Sequence, residues 1–189
     1  MLPDFDDFGC LPAGDYELTF DQLRESMLVL GPGDPADYPN WDAAWRSKLV
    51  DSAKILVKEL WSVGIANVFL DGSFVEDKDH PNDIDGYFEC EMSQLASGDL
   101  QRELNRTNES KVWTWAPDSR RPYLGYPKLQ LPMWHRYRVE LYPHAIGVMS
   151  GITDEWGNDL EFPAAFRRSR RDGRPRGIVK IIPETCHDP

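Results

Sequence analysis

The chain of 189 residues has no apolar run near the roughly 18 residues that a membrane span needs. Its start, Met1-Leu2-Pro3-Asp4-Phe5-Asp6-Asp7, lacks the basic-then-apolar layout of a secretory leader. Cysteine is scarce. Cys10, Cys90 and Cys186 are odd in number and widely spaced, which excludes a disulfide framework, and with His80, His135, His144 and His187 they show no zinc-ligand spacing. These absences predict a protein of the reducing cytoplasm, away from membranes. Positive charge is also in deficit: the net charge of −11 argues against a chain that coats nucleic acid by bulk electrostatics. Internal repeats and low-complexity tracts are absent.

What is present points to a packed globule. Hydrophobic residues make up 41% and include seven Trp, so disorder is excluded and one domain with a real core is expected. Residues 1–39 read as an N-terminal extension of that domain and 161–189 as a basic C-terminal arm. Charge is uneven. Residues 1–90 carry 19 acids against 6 bases, a net −13, whereas residues 91–189 carry 13 acids against 15 bases, a net +2. Much of the positive charge lies in Phe166-Arg167-Arg168-Ser169-Arg170-Arg171-Asp172-Gly173-Arg174-Pro175-Arg176. Such a run has two readings: it engages triphosphate, RNA or an acidic partner, or it is solvated and pairs with the acidic half of its own chain.

Thr19-Phe20-Asp21-Gln22 has the form of a capping box, predicting a helix over 20–30 that Gly31-Pro32-Gly33 breaks. Asn40 reads as the N-cap of the main helix. Its apolar face is spaced by Trp41, Trp45, Leu49, Ala53, Leu56 and Leu60, with Gly64 closing it. Strands are expected at 65–70, 83–90, 112–115 and 136–142, with a last edge strand at 177–182. A helix interrupted by Gly98 is expected over 93–105, and an ordered loop over 116–132. The pattern predicts an α/β or α+β domain with a small mixed sheet flanked by helices.

The chemistry concentrates between residues 70 and 88. Leu70-Asp71-Gly72-Ser73-Phe74 places a Gly-Ser turn after an apolar run, and Asn82-Asp83-Ile84-Asp85-Gly86-Tyr87-Phe88 opens a second run with two carboxylates. Side chains at i and i+2 of a strand share a face, so Asp83 and Asp85 project together while Ile84 turns inward. Paired carboxylates repel, and a divalent cation that completes its shell with substrate phosphates is a usual remedy. A Gly-Ser turn offers backbone N–H groups to phosphate oxygens. A calcium loop is excluded, because aligning the aspartates with its third and fifth ligands puts Pro81 at the first position and Met92 at the twelfth.

This arrangement resembles the active-site signature of the polymerase-beta-like nucleotidyltransferase superfamily: Gly then Gly or Ser, a spacer of about ten residues, then Asp, apolar, Asp or Glu, apolar. Gly86 is the one departure, and the specific resemblance covers residues 65–142. Asp71-Gly72-Ser73-Phe74-Val75 and Leu11-Pro12-Ala13-Gly14-Asp15-Tyr16 are also similar to small stand-alone bacterial and phage nucleotidyltransferase-like proteins.

The resemblance implies a nucleotidyltransferase fold and a third acid on a neighbouring strand, a place that Glu140 fills between Val139 and Leu141. It implies two Mg²⁺ ions, replaceable by Mn²⁺, held by Asp83, Asp85 and Glu140 as the catalytic acids. Gly72 and Ser73 would hold the β and γ phosphates of an NTP, with ATP expected, and Lys128, Arg136 and Arg138 would add contacts. Ser73 has a second reading as a helix cap. Nucleotidyl transfer to a hydroxyl on a protein side chain, an RNA end or a small molecule such as an aminoglycoside is implied, with pyrophosphate leaving, in the setting of toxin–antitoxin or phage-defence pairs. The basic run favours a macromolecular acceptor. The rival expectation is a catalytically silent nucleotide-binding, antitoxin or interaction protein on the same fold. Trp113, Trp115, Tyr123, Tyr126 and Trp134 are candidates for base stacking or for the core, His80 for a phosphate contact or the surface, and Asp71 for a turn residue.

Overall fold

Asp42 caps the longest helix, its Oδ1 accepting from the backbone N–H of Trp45 at 2.9 Å. This cap lies two residues beyond Asn40, the one expected. Trp41 stays outside the helix because its indole Nε1 donates to the carbonyl of Val29 at 3.0 Å. The helix, α3 (Ala43–Ser62), ends where Gly64 takes a left-handed φ of +86° and Ile65 N–H bonds back to Leu60 O. Leu49, Val50, Ala53, Leu56, Val57 and Leu60 bury its apolar face.

In this computed structural model, residues 2–126, 128–169 and 171–184 are described. Cys186 and His187 lie outside them, as does the end of the basic arm. The elements in chain order are β1 (Asp15–Leu18), α1 (Phe20–Arg24), α2 (Met27–Leu30), α3, β2 (Val68–Asp71), a 3₁₀ turn (Gly72–Val75), β3 (Ile84–Glu89), α4 (Met92–Ser97) and α5 (Asp99–Thr107). There follow α6 (Pro132–Tyr137), β4 (Val139–His144), β5 (Met149–Thr153), β6 (Asp159–Glu161), α7 (Phe162–Phe166) and β7 (Ile178–Ile181). The fold is mixed α+β, as expected. A five-stranded mixed sheet runs in the order β1-β7-β2-β3-β4, and β5 and β6 form a separate hairpin. Among the described residues no helix is long and apolar enough to cross a membrane.

One face of the sheet buries Val68, Leu70, Ile84, Phe88, Val139 and Leu141 in the main core, which α3 also lines. The other face carries a smaller cluster of Phe69, Tyr87, Phe162, Phe166 and Ile178, closed by α7.

Several expectations are corrected. The helix expected over 20–30 is two helices: the capping box holds at Thr19 and Gln22, but Ser26 is extended and its Oγ donates to Leu23 O, competing with the ladder. The strand expected at 112–115 is not formed. Asn105 stands in for a strand partner, its Oδ1 accepting from Trp113 N–H at 3.1 Å and its Nδ2 donating to Trp113 O at 2.6 Å. The expected strand 136–142 begins only at Val139, since Pro132 starts α6 at a first-turn position and Arg138 ends it in the left-handed region. The last strand, β7, is interior rather than an edge, lying between β1 and β2.

That position also corrects the outline of the domain. Residues 161–184 contribute Phe162, Phe166, Val179 and Ile181 to the core and are no appended arm. The first 39 residues likewise supply β1, Leu11, Phe20, Leu23 and Leu28, so they are part of the fold.

Candidate functional site

Strand register brings three carboxylates into one row. β2 pairs antiparallel with β3, placing Asp71 opposite Asp85, and β4 pairs parallel with β3, placing Glu140 opposite Asp85. Opposed residues share a sheet face, so Asp71, Asp85 and Glu140 stand side by side on three adjacent strands. Gly86, the departure from the expected apolar residue, has a packing reason: a Cβ there would lie 2.4 Å from Phe69 O and 2.8 Å from Leu141 Cδ2.

The Gly-Ser turn backs directly onto the middle acid. Gly72 has φ +77°, and a Cβ on it would sit 2.7 Å from Oδ2 and 3.1 Å from Cβ of Asp85. Only glycine permits this approach without displacement. Gly72, Ser73 and Asp85 line one cavity of about 240 Å³ together with Glu76, Arg171 and Arg176. Arg46, buried on α3, fixes the segment that follows: its guanidinium donates to Phe74 O at 2.8 Å, Glu76 O at 3.1 Å and Lys78 O at 2.6 Å, and also to Leu28 O. Burial works against that charge, while Asp77 and Asp79 offset part of the effect.

The outer acids of the row have their own cations. Asp71, expected as a turn residue, pairs with the buried Arg176 at 2.5 Å. Arg176 also holds Glu76 at 2.5 Å and donates to Phe166 O, and Arg171 binds Glu76 at 2.6 Å. Together with the Arg167–Asp15 pair at 2.7 Å, these bonds show the basic run pairing with the acidic half of its own chain. Of its described arginines Arg176 alone is buried; Arg168, Arg171 and Arg174 pair with acids while staying largely exposed.

Glu140, 1% exposed, accepts from Leu131 N–H at 2.8 Å and from the hydroxyl of Tyr142, with Arg120 and Lys128 at 3.5 and 3.4 Å. Four donors engage its two oxygens, so it is not presented as an open ligand. Asp83 accepts from Trp134 Nε1 at 2.6 Å. Burial pushes the Asp83 carboxyl above its ordinary range, and the charge of Glu140 adds to this; the Trp134 hydrogen bond and Lys128 oppose it. Among the described residues no three His, Cys, Asp or Glu side chains form a group that holds a metal ion. Asp83, expected on the same strand as Asp85, lies just before β3 and lines neither of the two cavities that Asp85 lines.

Of the three expected phosphate contacts, only Lys128 shares a cavity with Asp85, and that is a second, larger one of about 480 Å³ on the hairpin side. Arg136 is exposed on a different cavity with Arg121 and His135. Arg138 stacks its guanidinium 4.1 Å from the ring centre of Tyr123 and 3.9 Å from that of Trp134. His80 stacks on Trp45 and meets Asp42 at 2.9 Å. Trp113 and Trp134 are core residues, Tyr123 and Tyr126 pack edge-on against Trp134, and Trp115 donates to Leu141 O.

Sequence reasoning missed Arg46, Arg120 and Trp134 as supports of the site. Arg46 carried a signal, a cation within the apolar stripe of α3 one turn after Asp42; Trp134 and Arg120 carried none beyond residue type.

The model of the family described as Family of unknown function (DUF6932) matches residues 3–182, so the chain belongs to that family. No curated protein and no solved structure matches it.

Proposed function

We propose that this member of the DUF6932 family binds a nucleoside triphosphate at the Gly72-Ser73 turn and transfers its nucleotidyl group to a hydroxyl, releasing pyrophosphate. The observation that carries this reading is the close approach of Gly72 to Asp85, which sets a phosphate-suited turn against an acid in one cavity. Support also comes from the resemblance of residues 65–142 to nucleotidyltransferases and from the mixed sheet on which the acids sit.

Each residue has a task in this scheme. The backbone of Gly72 and the hydroxyl of Ser73 meet phosphate oxygens, and Arg171, 67% exposed beside the same cavity, turns from Glu76 toward the phosphate. Asp71 and Glu76 keep Arg176 in place. Asp83, held by Trp134, and Asp85 would hold a divalent cation, which would favour the charged form of the Asp83 carboxyl against the burial that chiefly raises it. When bound, such an ion supplies charge neutralisation and alignment of the phosphates. Glu140 does not fit as a third ligand in this arrangement; its part is to anchor Leu131, Tyr142, Arg120 and Lys128 beside the aspartates. ATP is the nucleotide expected.

The test is incubation of pure protein with each α-labelled NTP, Mg²⁺ and fractionated lysate, followed by analysis of label in protein, RNA and small molecules. Incorporation that depends on Asp83 and Asp85 supports transfer. Undiminished labelling by the Asp83→Asn, Asp85→Asn double variant sinks it.

The four donors on Glu140 favour a second reading, a site that binds nucleotide without turnover. Saturable ATP binding with no pyrophosphate release across all acceptor fractions selects that reading.

A further inference from the structure

Lys111, Arg121 and Arg136 line one groove of about 700 Å³, between the segment after α5 and the helix α6. No carboxylate lines it with them, and Glu109, next to Ser110 in the chain, falls outside the lining. Among the described residues these three side chains enter no ion pair and make no hydrogen bond. The basic run expected to meet a macromolecule differs, since Arg167, Arg171 and Arg176 are engaged by Asp15, Glu76 and Asp71. In a chain of net charge −11 the groove is a local exception. Its frame is fixed while its charged tips are not. Lys111 sits in a left-handed turn, φ +48°, closed by its N–H on Asn108 O at 3.1 Å, and the buried Asn108 donates to both oxygens of Glu59. Arg121 exchanges two backbone hydrogen bonds of 2.9 Å with Gln130.

We infer that this groove binds single-stranded nucleic acid through its phosphodiester backbone, Lys111, Arg121 and Arg136 each meeting one phosphate. Three features select this occupant. Lys111, Arg121 and Arg136 are exposed, so a small phosphorylated ligand would leave its contacts in water, where each is worth little; a chain of phosphates sums them. Pro122 and Pro132 carry no N–H, and the N–H and carbonyl of Arg121 are taken by Gln130, so an acidic peptide finds no backbone edge to extend. The same prolines and the ring of His135 lie among the cations and give the sugars and bases apolar surface. The overall negative charge repels a long polyanion, which limits the footprint to a short stretch. Arg120, which lines the larger cavity beside Asp85, directly precedes Arg121. The binding does not rest on the nucleotidyl-transfer reading.

The experiment is fluorescence anisotropy of labelled oligouridylate and oligodeoxythymidylate of equal length, titrated with the whole protein at several salt concentrations, without Mg²⁺ or nucleotide. Both are expected to bind saturably and alike, with log affinity falling against log salt at a slope of about −2, as three phosphate contacts on a single strand require. Arg121→Gln and Arg136→Gln each weaken binding about fivefold at about 0.1 M salt and reduce the slope by about 0.7. Lys111→Asn, which suits a left-handed turn, does the same. Lys58→Gln, exposed on α3 outside the groove, leaves binding unchanged. The three groove positions are exposed, and circular dichroism checks that the fold is kept. Absence of binding by both oligomers, undiminished binding by the triple variant, or an equal loss with Lys58→Gln overturns the site. Binding of the RNA alone overturns a backbone contact, and polyglutamate bound as tightly with the same sensitivity gives the groove to an acidic peptide and overturns the proposal too.

Discussion

The indole Nε1 of Trp134 donates to Oδ2 of Asp83 over 2.6 Å, joining a fully buried ring on α6 to the residue that leads into β3. Trp134 also stacks with Arg138, whose carbonyl accepts from Ile84 N–H, so one residue sets both the side chain and the entry of the strand. Trp134→Phe keeps most of the ring volume and removes the donor. The expected loss is about 1–3 kcal/mol of stability, from a buried carboxylate left without its partner. Urea denaturation measures it, and an unchanged midpoint would show that the bond contributes nothing.

Gly72→Ala tests the turn. A left-handed backbone costs a non-glycine residue about 1–2 kcal/mol, and the added Cβ meets Asp85 Oδ2 at 2.7 Å. Stability should fall by at least that amount, and nucleotide affinity should fall further than stability alone explains. Calorimetric ATP titration of the folded variant separates the two; native affinity would remove the turn from the site.

Asp83 gives a pH prediction with a definite sign. Its carboxyl titrates above the ordinary carboxylate range in the folded chain, chiefly through burial. Between the ordinary and the folded value, the folded chain holds more protons than the unfolded one, so stability falls as pH rises through that window and stays lower above it. Asp83→Asn removes this term and keeps an oxygen for Trp134. With chelator present, its urea midpoint should fall less than the wild type's between about pH 4 and pH 7, ending higher at the upper end. Parallel profiles for the two proteins would contradict the argument.

Arg176→Ala should be the most damaging of these changes. It leaves Asp71 and Glu76 charged and buried without their shared cation, a loss of about 3–5 kcal/mol. Adding Asp71→Asn and Glu76→Gln to Arg176→Leu should recover a large part, and chemical denaturation of the single and combined variants reads the coupling. Simple additivity would mean that the three side chains act independently.

The fold was legible where a local rule dominated. The Thr19–Gln22 box, the stripe of α3 from Leu49 to Leu60, the left-handed Gly64 and the Gly98 break between α4 and α5 each depend on neighbours a few residues away. Legibility failed where a distant partner decided. Trp113 would pass for a strand residue until Asn105 takes its backbone groups. Asp15–Leu18 is four residues with two acids, yet it forms β1 because Ile178–Ile181 pairs with it from across the chain. At the site, Glu140 was expected from the resemblance and the β3–β4 register sets it opposite Asp85, whereas the pairing of Asp71 with Arg176 spans 105 positions and leaves no trace in spacing. Arg136 and Arg138 fall within the expected strand 136–142, but one lies on the short helix α6 and the other at its end, because Pro132 starts a helix there.

Arg46 holds three carbonyls of the stretch 74–78 against the rigid body of α3. The wall of the smaller cavity that Glu76 lines is thereby held in place. The β5–β6 hairpin is different, because it pairs only with itself and has no rung on the main sheet. The hairpin can therefore shift without breaking a rung of the main sheet, whereas the stretch 74–78 cannot move without giving up its bonds to Arg46.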